Sequence, residues 1–160
     1  MGFMFDVKKM ADFAQAEIEK FSREHQGEIF YAFAIEDSRL CLNSVGHFEK
    51  ALREFATQSP RYYDSPEKIR TLRNDPNGWA YHGFACFRAL NRGFEAPFDE
   101  TLYNEHAKLE SQDQEKSQYR LAMNEVLRIL KERNVFDSLP TTKDFKIEKS
   151  EFDSKTLAHR

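Results

Sequence analysis

The chain has 160 residues, with 24 Lys and Arg against 27 Asp and Glu and a formal charge of −3. That length is one domain on the usual prior and buries roughly 70% of the unfolded surface, so a core needs no staples. The near-balance of charge argues against non-specific nucleic-acid binding, which needs a concentrated positive field; no stretch approaches the ~20 apolar residues that span a bilayer, and residues 1–12 lack the pattern of a signal peptide, so a soluble cytoplasmic protein is expected.

Val7, Met10, Ala14, Ile18 and Phe21 fall at helical spacing with charged residues between them, which predicts an amphipathic helix over Phe5–His25, ended by Gly27. Glu28–Ser44 is the most informative stretch. Ile29–Ile35 is almost wholly apolar, Glu36-Asp37-Ser38-Arg39 is a turn signal, and Leu40–Leu42 returns. This predicts a buried β-hairpin whose first strand is covered on both faces. Strict alternation puts Ile29, Tyr31, Phe33 and Ile35 on one face and Phe30, Ala32 and Ala34 on the other.

Asn43-Ser44 supplies an N-cap for a helix over Val45–Gln58 with a Phe48, Leu52, Phe55 stripe, broken by Pro60. Ser65-Pro66-Glu67 opens a short helix through Arg73, and Asn74–Gly78 is a dense turn cluster. Trp79–Phe87 reads as a strand, with Trp79, Tyr81, Gly83, Ala85 and Phe87 on one face and His82, Phe84 and Cys86 on the other. A helix continuing to Leu90 fits the same residues. Asp99 caps a helix carrying Leu102, Tyr103, His106 and Leu109, and Ser111–Gln114 has the form of a capping box. Tyr119, Met123, Val126, Leu127 and Leu130 line the clearest helix, ending near Asn134. Leu139–Thr142 reads as a turn, Asp144–Lys149 as an edge strand with one wet face, and 150–160 as a frayed tail. With 15 Phe, six Tyr and one Trp, aromatic clusters should supply much of the core. The expected fold is α+β: a single domain with an antiparallel sheet of about four strands, on which the Val7–Phe21 and Tyr119–Leu130 helices pack.

Chemistry needs convergent titratable groups, and the linear pattern offers few. His25, His47, His82, His106 and His159 include no pair at the i, i+4 spacing of a helical metal site, and none lies near cysteines at zinc-like spacing. His106 with Glu105 and Glu110 reads as a solvated helix face. Cys41 and Cys86 sit in apolar runs, where burial raises a thiol pKa and disfavours nucleophilic use. Neither a Gly-x-Ser-x-Gly elbow nor a phosphate-binding loop is found. The expectation is no catalytic residues, no metal and no cofactor. The basic residues Arg61, Lys68, Arg70, Arg73, Arg88 and Arg92 are interleaved with Tyr62, Tyr63, Asp64 and Glu67, a mixed solvated surface rather than a nucleic-acid groove. Trp79, Tyr81 and His82 are the candidate binding residues. For Trp79 the competing reading is an anchor tying the preceding turn to the core, and for His82 a hydrogen-bonded structural histidine.

Phe30-Tyr31-Ala32-Phe33-Ala34, then Asn74-Asp75-Pro76-Asn77-Gly78-Trp79-Ala80-Tyr81, then Leu139-Pro140-Thr141-Thr142-Lys143-Asp144-Phe145 follow one another in an order that resembles the bacterial domain-of-unknown-function family numbered 4303. The resemblance runs from about Val7 to Asp153. It implies a bacterial, cytosolic α+β domain and carries over no catalytic residues. One departure is Glu151-Phe152-Asp153, which stands where a Glu-His-Asp-like ending is expected. By analogy with other small uncharacterised domains, it suggests a non-enzymatic protein-binding domain, such as an immunity protein that blocks a toxin, or a regulatory protein. The alternative is a small enzyme or ligand-binding protein with a pocket around His82, Tyr81 and Cys86.

Overall fold

A computed structural model describes residues 5–59, 61, 65–91 and 98–147. The elements run α1 (Val7–Glu24), β1 (Phe30–Glu36), β2 (Arg39–Ser44), α2 (Val45–Gln58), α3 (Pro66–Asn74), β3 (Tyr81–Cys86), α4 (Glu100–Ala107), α5 (Ser111–Gln114), α6 (Gln118–Glu132) and β4 (Thr141–Ile147). Short 3₁₀ turns lie at Pro76–Gly78, Phe87–Asn91 and Val135–Ser138. The breaker Pro60, the aromatics Tyr62 and Tyr63, Arg92, and the segment 148–160 that includes the expected tail lie outside the described residues.

The helix starts follow side-chain caps. Asp6 accepts from the Lys9 amide, Ser44 from His47, Ser65 from Lys68 and Asp99 from Leu102. The long C-terminal helix differs from the expected start. Ser117, whose oxygen accepts from the Arg120 amide, caps α6, and Ser111–Gln114 forms only a separate short turn of helix. Both serines precede apolar periodicity, but only the later one stands beside the first buried residue, Tyr119.

The four strands form one sheet in the order β3-β2-β1-β4. β1 and β2 are an antiparallel hairpin closed by Asp37 and Ser38, both at positive φ (48° and 64°), the conformation whose twist suits a two-residue hairpin turn. β3 pairs antiparallel with β2, but β4 runs parallel to β1, so the sheet is mixed and the antiparallel expectation is corrected. The reason is the route of the chain. α6 returns it to the end of the sheet where β1 begins, and Phe30 N donates to Pro140 O at 2.9 Å. β4 therefore enters beside the first residue of β1 and follows it. Residue periodicity carries no strand direction. The expected turn at Leu139–Thr142 is correspondingly shorter, because Thr141 already pairs with Phe30.

Both faces of β1 are buried. One carries Phe30, Phe33 and Ile35 with Leu40 and Leu42 of β2, and packs against Met10, Ala14, Ile18 and Phe21 of α1 and Tyr119, Met123, Val126 and Leu130 of α6. The other carries Tyr31, Ala32, Ala34, Cys41 and Trp79, against Val45 and Phe48. Strict alternation fails at two bulges. A register shift between Phe30 and Ala32 puts Phe30 with Phe33 and Tyr31 with Ala34, and leaves Ile29 54% exposed. A second shift, opposite Leu40 and Cys41, contains Gly83 at φ +83°. It places Phe84 beside Tyr81 on the α1 side, while Trp79 sits on the opposite face. The helical alternative for this segment holds only past Cys86, as the 3₁₀ turn.

Candidate functional site

The sheet is built so that the start of β1 and the end of β2 lie side by side. Phe30 pairs with Ser44, and Val45 N donates to Ile29 O at 2.8 Å. The residues just beyond, Glu28 and His47, therefore converge. Leu42 of β2 pairs with Tyr81 of β3, which brings the tyrosine to the same end. Glu28 Oε2 accepts the Tyr81 hydroxyl at 2.5 Å, and Oε1 lies 2.8 Å from His47 Nδ1. That nitrogen is also 2.8 Å from Ser44 Oγ. His25 reaches the cluster from the end of α1. Its Nδ1 donates to the Phe21 carbonyl at 2.8 Å, its ring stacks on Phe21, and it meets the Tyr81 ring edge-on at 5.0 Å. His47 meets Tyr81 edge-on at 5.2 Å. Tyr81 is thus flanked by two imidazoles, with its hydroxyl on a carboxylate.

The electrostatics follow from this packing. Burial pushes the Tyr81 phenol up to about 12, reinforced by its hydrogen bond to Glu28 and by the charge of that carboxylate. Burial also pushes Glu28 upward. The hydrogen bonds from Tyr81 and Ser44, with the His47 and His25 charges, outweigh it and hold the carboxyl below its ordinary value.

Two clefts open on this corner. One, of about 400 Å³, is lined by Gly27, Glu28, Ile29, Ser44, Val45, Gly46, His47 and Lys50. The exposed Ile29 stands at its edge. The other, of about 210 Å³, lies between α1 and β3 and includes Phe21, His25, Tyr81 and Phe84.

Of the residues singled out from sequence, Tyr81 alone belongs to this corner. Trp79 is buried, 4% exposed, and its Nε1 donates to the Arg73 carbonyl at 2.9 Å. It shares that carbonyl with the Tyr31 hydroxyl, which in turn accepts from Asn43 Nδ2, while Asn43 Oδ1 accepts from the Ala80 amide. This polar network fastens α3 and the Pro76–Gly78 turn to the sheet. His82 pairs across from Cys41, on the face opposite Tyr81, and its Nε2 is buried with no partner among the described residues. Cys86 lies at the far end of β3, its sulfur 3.4 Å from Ser38 Oγ. Both cysteines are free, and burial pushes the Cys41 thiol up to about 12.

His106 is buried, correcting the solvated reading. Its Nδ1 is 2.6 Å from Ser117 Oγ, and its ring packs on Tyr119 and Tyr103. Arg73 and Arg88 are engaged inside the molecule. One guanidinium lies 4.2 Å over Tyr31, the other 4.7 Å over Tyr103. Among the described residues, no group of three or more His, Cys, Asp and Glu is placed to hold a metal, and no helix is long and apolar enough to cross a membrane.

Taken together, Glu28, Ser44, His47 and His25 share no helical spacing and no short motif, so the linear pattern does not mark them as a site. The signal that finds them is hairpin register: a turn at Asp37-Ser38 sets residues near 28–30 opposite residues near 44–46.

The profile of the family described as Domain of unknown function (DUF4303) matches residues 10–158, and the chain belongs to that family. Comparison with curated proteins and with solved structures returns no match.

Proposed function

We propose that this family member is a non-enzymatic binding protein, of the toxin-immunity or regulatory kind, that engages a bacterial protein partner in the cytoplasm through the corner formed by Glu28, Ile29, His47 and Tyr81. The observation that carries this reading is Ile29. A large aliphatic side chain is left 54% exposed at the edge of a cleft that also carries Glu28, Ser44, His47 and Lys50. An apolar anchor beside fixed polar groups is the composition of an interface core with its rim.

The electrostatics support binding over proton transfer. A general acid or base works best with a pKa near the operating pH. Here burial, reinforced by Glu28, moves the phenol up to about 12, and, against its burial, the hydrogen bonds from Tyr81 and Ser44 with the nearby imidazoles move the carboxyl downward, both away from neutrality. Two groups locked to each other are suited to presenting a fixed surface.

The test is quantitative capture of partner from the organism that encodes the chain, comparing wild type with Ile29→Asp, Gly46→Trp and Leu121→Asp. A Cβ at Gly46 meets nothing within 4 Å, so a large side chain there fills the cleft mouth without disturbing the core. Leu121 is 52% exposed on α6 and serves as the control. Loss of a stoichiometric partner in the first two variants and its retention in the third supports the reading. Equal recovery in all three contradicts it.

A second reading, a small enzyme or ligand-binding protein near His82, is favoured by the buried His82 Nε2 that lacks a partner among the described residues. It requires a compound that raises the melting temperature of wild type and not of His82→Leu.

A further inference from the structure

The smaller cleft has a construction that the larger one lacks, and it points to what a partner presents there. Its floor is aromatic. Phe21 lies 4.9 Å from Tyr81 in a T-shaped contact and 4.7 Å from Phe84, and His25 stacks on Phe21 at 3.8 Å. Its α1 wall carries Glu17 and Glu24, seven positions apart and so on one side of the helix. Among the described residues neither carboxylate has a basic side chain within ion-pair distance. Lys20 also lines the cleft, but one ammonium against two carboxylates leaves the wall acidic, and Glu28 adds a further negative charge behind Tyr81.

An aromatic face attracts a cation through its quadrupole, most strongly when carboxylates stand nearby to complete the shell. The fold already uses this contact elsewhere, with Arg73 over Tyr31 and Arg88 over Tyr103 and Phe98. Among the described residues no guanidinium or ammonium covers Tyr81 or Phe84.

We infer that the cleft between α1 and β3 receives an arginine or lysine side chain of a basic protein partner, seated over Phe84 and Tyr81 and held by Glu17 and Glu24. This rests on the reading of the corner as a binding surface and adds the chemistry of the occupant. The pairing also agrees with the acidic balance of the chain, formally −3, since opposite net charge speeds encounter between partners.

The experiment is a backbone amide NMR titration of the full chain with acetyl-Gly-Arg-Gly-amide. The same peptide with citrulline, and with Glu, in place of Arg are the comparison probes. The arginine peptide should give saturable shifts at Phe21, Glu24, Tyr81 and Phe84, and the isosteric but uncharged citrulline peptide should not. Glu17→Gln combined with Glu24→Gln should weaken the arginine peptide roughly threefold or more, the scale of two exposed ion pairs. Equal shifts from the citrulline peptide, or tighter binding of the glutamate peptide at these amides, would overturn the cationic occupant and leave the corner a binding surface. No shift with the arginine peptide would overturn the inference as well. The corner reading itself is then decided separately by the Ile29 and Gly46 variants.

Discussion

Glu28 accepts the hydroxyl of Tyr81 at 2.5 Å, and this one bond ties the entry of β1 to β3 across the intervening strand β2. Replacing the carboxylate therefore changes the tyrosine. In Glu28→Gln the Tyr81 phenol should ionise below its present value of about 12, because the carboxylate charge is removed and the neutral amide oxygen is a weaker acceptor of the hydroxyl, while burial remains. A difference titration of phenolate absorbance between variant and wild type reads this directly. The linkage sign follows. A phenol raised on folding contributes stability that is complete below the unfolded value near 10 and lost as pH rises toward 12. The variant should therefore lose less stability than wild type across that alkaline window. Glu28 is depressed, so its contribution is present above the ordinary value of 4.5 and lost as pH falls through the folded value, and acidification should cost wild type more than Glu28→Gln.

Trp79→Ala removes a ring that is 4% exposed and strips the Arg73 carbonyl of one of its two donors. The expected loss is about 3–5 kcal/mol, which lowers the melting temperature by roughly 6–20 °C in a domain of this size. Trp79→Phe keeps most of the packing and deletes only the indole donor. It should be milder, because the Tyr31 hydroxyl still satisfies the carbonyl. An unchanged midpoint in Trp79→Ala would place the ring outside the core.

Gly83 sits at φ +83° inside β3, and a Cβ there would come within 3.0 Å of Arg39 Cδ. The arginine side chain is flexible and can move, so the backbone conformation sets most of the cost. Gly83→Ala should destabilise by about 1–2 kcal/mol, read as a lower urea midpoint with an unchanged slope. It should also disturb the bulge that presents Phe84 beside Tyr81.

The two cysteines should differ in access. Cys41 is fully buried and its thiol is pushed up to about 12, so under native conditions a thiol reagent should modify at most one sulfur, Cys86. Both should react once the chain is unfolded in urea. Modification of Cys41 in the native protein would contradict its full burial.

Most elements were legible because local chemistry marks them. α2 spans Val45–Gln58 as its cap and apolar stripe predict, and the serine and aspartate caps at Ser44, Ser65 and Asp99 each bond an amide of the first turn. The errors share a cause: they depend on contacts remote in sequence. Alternation misplaced Phe30 and Phe84 because each lies at a bulge, and a bulge is fixed by the partner strand. The direction of β4 is set by where α6 delivers the chain, which periodicity does not record. The corner was half legible. Hairpin register alone brings Glu28 to Ser44 and His47, whereas Tyr81 arrives only because β3 pairs with β2 after two intervening helices, a connection with no sequence signature.

The central claim, that the Glu28 and Tyr81 corner is the surface presented to a partner, is tested most directly by hydrogen–deuterium exchange of the chain with its captured partner bound. The account predicts added protection over residues 24–30, 44–50 and 81–84 together, three segments distant in sequence and joined only at this corner. Protection confined to the exposed face of α6 around Leu121, or to β4, with these three segments unchanged, would contradict it.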